Sequence, residues 1–182
     1  MASKIDIISS ALVLIGDAPL NSLSDASSAA TVANKLYDTT VESLLTMHRW
    51  RFASAKVQLA LLVAEPLNEW AYAFQLPSNL LQIQKIVPTT SYEVYENKLY
   101  ANVSELAMDY TFRPVEARFP TYFVQALEYR LADKFSISLT ENTAVNQQMI
   151  GQYDRAIAQA MFADANQRPN RPFTSAPFID VR

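Results

Sequence analysis

The sequence predicts a mainly α protein: an antiparallel helix bundle carrying a small antiparallel β-sheet insert and an extended C-terminal tail. Three observations carry that expectation. Apolar residues recur at helical spacing near both ends of the chain. Aromatic residues and alternation dominate its middle. Periodicity stops after Asn166. Of the 182 residues, 50% are hydrophobic and 11% aromatic, enough to bury a real core.

The first helix is expected over about 3–15. Ser3 followed by Asp6 can cap its start, Ile5, Ile8, Leu12 and Ile15 make its apolar stripe, and Gly16 suits the left-handed position that ends a helix. Its apolar run is short and broken by Asp6, Ser9 and Ser10, so it reads as an amphipathic helix and not as a secretion signal. A loop through Pro19 leads to a second helix over about 25–48, with Ala29, Ala33, Leu36, Val41, Leu44 and Leu45 on one face. In the "HRWRFA" stretch that follows, Trp50 and Phe52 are expected to plug one end of the core. The alternative is a stacking platform for bases, with Arg49, Arg51 and Lys56 around it.

Residues of about 56–113 read as strands punctuated by Pro66, Pro77, Pro88 and Pro114, because proline removes a ladder donor and belongs at strand boundaries. "YEVYENKLYA" reads as a hairpin turning at Glu96-Asn97-Lys98. Its tip is expected to project, making Tyr95, Glu96, Asn97 and Lys98 candidate contacts to a neighbouring subunit or another protein. The competing reading packs its tyrosines onto the helices. A third helix is expected over about 120–136, started by Pro120 and striped by Phe123, Ala126, Leu127, Leu131 and Phe135, with Arg130 interrupting. A fourth is expected over about 143–165, striped by Val145, Met149, Tyr153, Ala156, Ile157 and Ala160. Gly151 lies inside it, and close approach of a neighbouring helix is the expected reason. Residues 1–166 thus form one domain and 167–182 an extended arm.

The search for chemistry yields little. The net charge is -3, which argues against binding that works by neutralising phosphates. Cysteine is absent, so disulfides, thiolate zinc sites and a cysteine nucleophile are excluded. The two glycines, Gly16 and Gly151, cannot make a phosphate-cradling loop. The lone histidine, His48, reads as a helix-end residue. Glu65 with Glu69, and Glu93 with Glu96, are pairs of a kind that glycoside hydrolysis needs, but surface carboxylates explain them as well. No catalytic residue, metal or cofactor is expected.

The order of motifs resembles the head-to-tail adaptors of short-tailed phages, the tail tubular protein A family. The resembling pieces are Leu14-Ile15-Gly16, Ser22-Leu23, Trp50-Arg51-Phe52-Ala53, Pro66-Leu67, Trp70-Ala71-Tyr72 and Leu76-Pro77-Ser78-Asn79-Leu80. Asn79 stands where aspartate is commoner in that family, a change that a turn tolerates. The resemblance covers most of residues 5–165. It implies a structural protein of the virion, not an enzyme, assembled as a ring of twelve between the portal protein and a tail nozzle. Genome DNA would pass through the ring without sequence-specific binding, and no membrane is involved. The protein would be made in the host cytoplasm. A different head-completion connector is the runner-up, and a tail-delivered peptidoglycan hydrolase the third reading. The family's C-terminal segment reaches the portal. That role would fall to Arg168, Pro169, Arg171, Pro172, Phe173, Phe178 and Arg182, which combine guanidinium groups, aromatic anchors and a stiffened backbone.

Overall fold

The computed structural model describes residues 2–64, 66 and 69–167. It overturns the expected fold class. The chain is 49% helical and 20% strand, and with two antiparallel sheets it is an α+β protein, not a mainly α bundle. Four α-helices occur among the described residues: α1 (Lys4–Leu14), α2 (Ser28–Met47), α3 (Thr121–Phe135) and α4 (Thr143–Ala165). Seven strands lie between α2 and α3: β1 (Ser54–Gln58), β2 (Ala60–Leu61), β3 (Tyr72–Gln75), β4 (Leu80–Val87), β5 (Tyr92–Tyr95), β6 (Lys98–Ala101) and β7 (Ala107–Phe112).

The helix ends follow from local chemistry. At α1 the Ser3 hydroxyl accepts the Asp6 N–H while the Asp6 carboxylate accepts the Ser3 N–H, a complete capping box. At its other end Gly16 adopts φ 83. Asp17 N–H then reaches Leu12 C=O and Gly16 N–H reaches Val13 C=O, both at 3.0 Å. These two bonds satisfy carbonyls that the helix leaves unpaired. Ser27 caps α2 by accepting the Ala30 N–H, so this helix begins three residues later than expected. Asn142 caps α4 by accepting from Ala144 and Val145. Between α3 and α4 the chain does not simply break: Ser136–Thr140 continues α3 as a π-helical turn, which Glu141 ends at φ 50.

The strands make two sheets, with orders β1-β7-β4 and β2-β3-β6-β5. One long strand feeds both. It pairs with β7 through Gln58, and the Leu59 N–H still reaches Leu106 C=O at 2.8 Å. It then pairs with β3 from Ala60 on.

Two hydrophobic cores result. The helical core joins all four helices to Trp50, Ala53 and Phe119. The smaller β core gathers Leu59, Phe74, Leu76, Ile86, Leu99, Leu106 and Met108 from both sheets. This second core is why the class expectation fails, since the strands are no appendage to a bundle but enclose apolar side chains of their own. Charges tie the two together. The Arg113 guanidinium, just past β7, meets Asp38 and Glu42 one turn apart on α2, and Lys4 also reaches Asp38. Arg49 joins Asp109 on β7 at 2.9 Å.

Gly151 is a second correction. It is exposed, and a Cβ built there meets nothing within 4 Å, so no neighbouring helix accounts for it.

Candidate functional site at the end of α4

A polar cluster beneath the surface lies where α2, the Trp50 segment, α3 and the end of α4 meet. It is built on Trp50. After α2 the backbone turns extended at His48 and forms a 3-10 turn over Arg51–Ala53. That geometry drives the Trp50 ring, which is fully buried, between the helices. Its Nε1–H donates to Leu44 C=O at 2.7 Å, so the one polar atom of the ring is satisfied. Phe123 meets it edge-on at 5.2 Å, and Phe52 meets Phe123 at 4.9 Å. The core-plug reading of this pair is therefore the correct one. A ring with no exposed surface offers no platform for a base.

Asp164 stands beside this plug, in the last turn of α4, and is 1% exposed. A carboxylate there opposes the negative end of the helix dipole and its own burial. Donors from the Trp50 segment, whose Arg51 N–H faces both oxygens, and from α3 offset both. The Arg51 N–H lies 3.1 Å from Oδ1, and the Tyr122 hydroxyl donates to the same oxygen at 3.1 Å. His48 Nε2 lies 3.5 Å from Oδ2. Burial, and then the Asp164 charge, push the Tyr122 phenol up to about 12, so its proton stays in place for this bond. The cluster continues outward. The Arg51 guanidinium donates to Gln167 C=O at 3.0 Å, and the Gln167 amide donates to the Tyr122 oxygen at 3.3 Å. Gln167, expected as the first residue of the arm, is thus fastened to the body. A cavity of about 150 Å³ opens here, lined by His48, Arg49, Arg51, Asp164 and Ala165.

Chemically the arrangement is a fastening. Each oxygen of Asp164 faces a donor, and the nearby Ser54 hydroxyl donates to Trp50 C=O at 2.6 Å. Among the described residues no three His, Asp or Glu side chains are grouped to hold a metal ion. No helix among them is long and apolar enough to cross a membrane.

The other sequence-predicted residues fall apart spatially. The hairpin tip is real: Tyr95 pairs with Lys98 across Glu96 and Asn97, so Lys98 belongs to the strand and the turn is one residue shorter than expected. Tyr95, Glu96 and Asn97 are exposed, and Glu96 takes φ 54. The tip is also braced, because Asn97 C=O accepts from Leu76 N–H and from the Gln75 amide. Tyr92 is exposed like Tyr95, so these two tyrosines do not pack into the helices. Glu93 accepts the Trp70 Nε1–H at 3.0 Å. Trp70 is only half-buried and belongs to the β part. Glu65 and the arm residues Arg168, Pro169, Arg171, Pro172, Phe173, Phe178 and Arg182 lie outside the described residues.

Asp164 and Tyr122 were missed in the sequence. One signal was available: an acidic residue in the last turn of a helix is unfavourable unless something pairs with it. Compared with known protein families and with curated proteins, the chain gives no match.

Proposed function

We propose that the protein is a structural head-to-tail adaptor of a short-tailed phage. In this reading it sits as a ring between portal and tail nozzle and extends the DNA channel. The observation that carries the reading is the fastening at the end of α4. A segment that docks on a partner transmits force only if its root is held. Here the root is tied to the core plug through Asp164, Arg51 and Tyr122. The family-like motif residues support the same view, because they act as structural joints. Gly16 closes α1, Trp50 and Phe52 plug the helical core, and Pro77 accepts the Leu80 N–H in the turn that opens β4.

The arm then supplies the portal contact. Phe173 and Phe178 fill apolar pockets, Arg168 and Arg171 face carboxylates, and several copies acting together turn a weak contact into a firm one. The test compares portal binding by the full chain, by a chain truncated after Asn166, and by Phe173→Ala/Phe178→Ala. The full chain should bind, the truncated chain should stay folded and fail, and the aromatic variant should weaken strongly. Equal binding by all three would remove the arm from the account.

A further inference from the structure

Among the described residues, the four-stranded sheet ends on two edges that no further strand covers and that match each other. Its core face carries two cross-strand rows. One runs Leu61, Phe74, Leu99, Val94 and the other Tyr72, Ala101, Tyr92. The Leu62 N–H donates to Ala73 C=O at 2.8 Å. That bond is the last of the ladder, and the chain bends away at Val63. Inside each row the side chains are buried: Phe74, Leu99 and Ala101 have no exposed surface. At the outer ends the rows stay apolar but face solvent. Leu61 is 49% exposed at one edge, and Val94 is 42% and Tyr92 41% exposed at the other.

Soluble sheets usually blunt such edges with charge or proline. The β2 edge carries no charge from Leu59 to Ala64. The one acid of β5, Glu93, points to the opposite face from Tyr92 and Val94 and holds Trp70.

The backbone groups match as well. Leu62 N–H bonds to β3, so by antiparallel alternation the N–H and C=O of Leu61 point outward. The two-residue loop bonds Tyr95 to Lys98, so the groups of Tyr92 and Val94 point away from β6. Four strands, each antiparallel to the next, leave β2 and β5 running in opposite directions. A second copy placed head-to-tail therefore meets β2 with an antiparallel β5.

We infer that β2 of one copy pairs with β5 of the next, Leu61 against Val94. The sheet and this apolar row then continue from chain to chain. Such a contact uses two different faces, so it builds a ring if the rotation closes and a filament if it does not. The pairing stands on the sheet itself; only its closure into a ring rests on the adaptor reading.

The absence of native cysteine makes a clean test. Opposed residues of a bonded antiparallel pair have Cα atoms about 5.5 Å apart, within disulfide reach. The variants Leu61→Cys and Val94→Cys are purified separately, mixed and oxidised. Each position is exposed, and unchanged far-ultraviolet dichroism checks the fold. The mixture should give a covalent dimer that neither variant gives alone, and Leu61→Cys/Val94→Cys in one chain should give a ladder of multimers. Adding Tyr92→Pro, which removes an outward donor, should cut the ladder at least tenfold. A dimer from Leu61→Cys alone, or no cross-link in the mixture, overturns the pairing. Electron microscopy separates this from the adaptor reading. Closed rings without the Leu61–Val94 bond sink the pairing and spare the ring. Cross-linked open filaments do the reverse.

Discussion

The helical body and the β unit are built to different ends. In the body each helix turns its apolar stripe inward, and the largest side chains, Trp50, Tyr37, Phe123 and Phe135, have essentially no exposed surface. In the β unit the core is smaller, and its apolar rows run out to Leu61, Tyr92 and Val94, where nothing in the same chain covers them among the described residues. The body also exposes apolar side chains, among them Val13, Met47, Ile137 and Phe162, whereas those of the β unit stand at the ends of cross-strand rows. On the pairing proposed above, assembly falls to the β unit and stability to the body, which the Arg113 and Arg49 ion pairs join. Exposed apolar residues in rows, unlike scattered ones, mark surfaces made to be covered.

The comparison breaks first at its largest side chain. Trp50→Ala leaves a cavity in the body and an unpaired Leu44 carbonyl. It should cost about 3–5 kcal/mol in urea unfolding and drive the protein into aggregates. A soluble Trp50→Ala of unchanged midpoint would mean that this ring is not the centre of the body.

Next is the β core. Leu99→Ala should cost about 2–5 kcal/mol, and the two tryptophans can tell where the loss falls. Trp50 reports the body and Trp70 the β unit, so Trp70→Phe and Trp50→Phe backgrounds isolate each signal. Leu99→Ala should lower the Trp70 midpoint more than the Trp50 midpoint. Equal shifts would show one cooperative unit and erase the distinction.

The joint itself should respond to acid. Burial alone would raise the Asp38 pKa, but bonds from Arg113 and Lys4 hold it below its ordinary value. A carboxylate whose pKa is depressed by folding stabilises the fold above its unfolded value, about 3.9, and that contribution fades as pH falls through the folded value. Protection of amides from exchange, corrected for the intrinsic rate, should therefore fall at the α2–β7 junction as pH drops below about 4, and Asp38→Asn should flatten that fall. Because Asp38 is half exposed, the effect is modest.

The smallest effect concerns Gly151. With no neighbour to clash, Gly151→Ala should stabilise α4 by about 1 kcal/mol, read as a higher melting temperature. A lower one would point to a contact made only in an assembly.

Much of the body was legible in the sequence because its signals are local. Ser3 and Gly16 announce helix ends within four residues of the groups that they satisfy. The stripes of α3 and α4 follow the helical period. The weight of the β part was not legible. β4 is only partly buried, and register shifts at Leu80/Gln82 and Ile83/Lys85 blur its alternation. The change of sheet at Leu59 leaves no mark in "KVQLALLV". The Asp164 cluster was hidden for another reason: Arg51 lies 113 positions away, and a burial that rests on such distant donors has no local pattern. The apolar edge rows needed the register, which single-strand patterns do not contain.

The central claim is that this chain works as a ring adaptor, and one measurement meets it directly: electron microscopy of the purified protein, alone and bound to the portal of its phage. The account predicts a closed ring on the portal. In it, neighbouring copies meet through two different faces, with the end of α4 toward the portal and β2 of each chain beside β5 of the next. Isolated copies, two-fold pairs, or a portal left bare at saturating protein would contradict it.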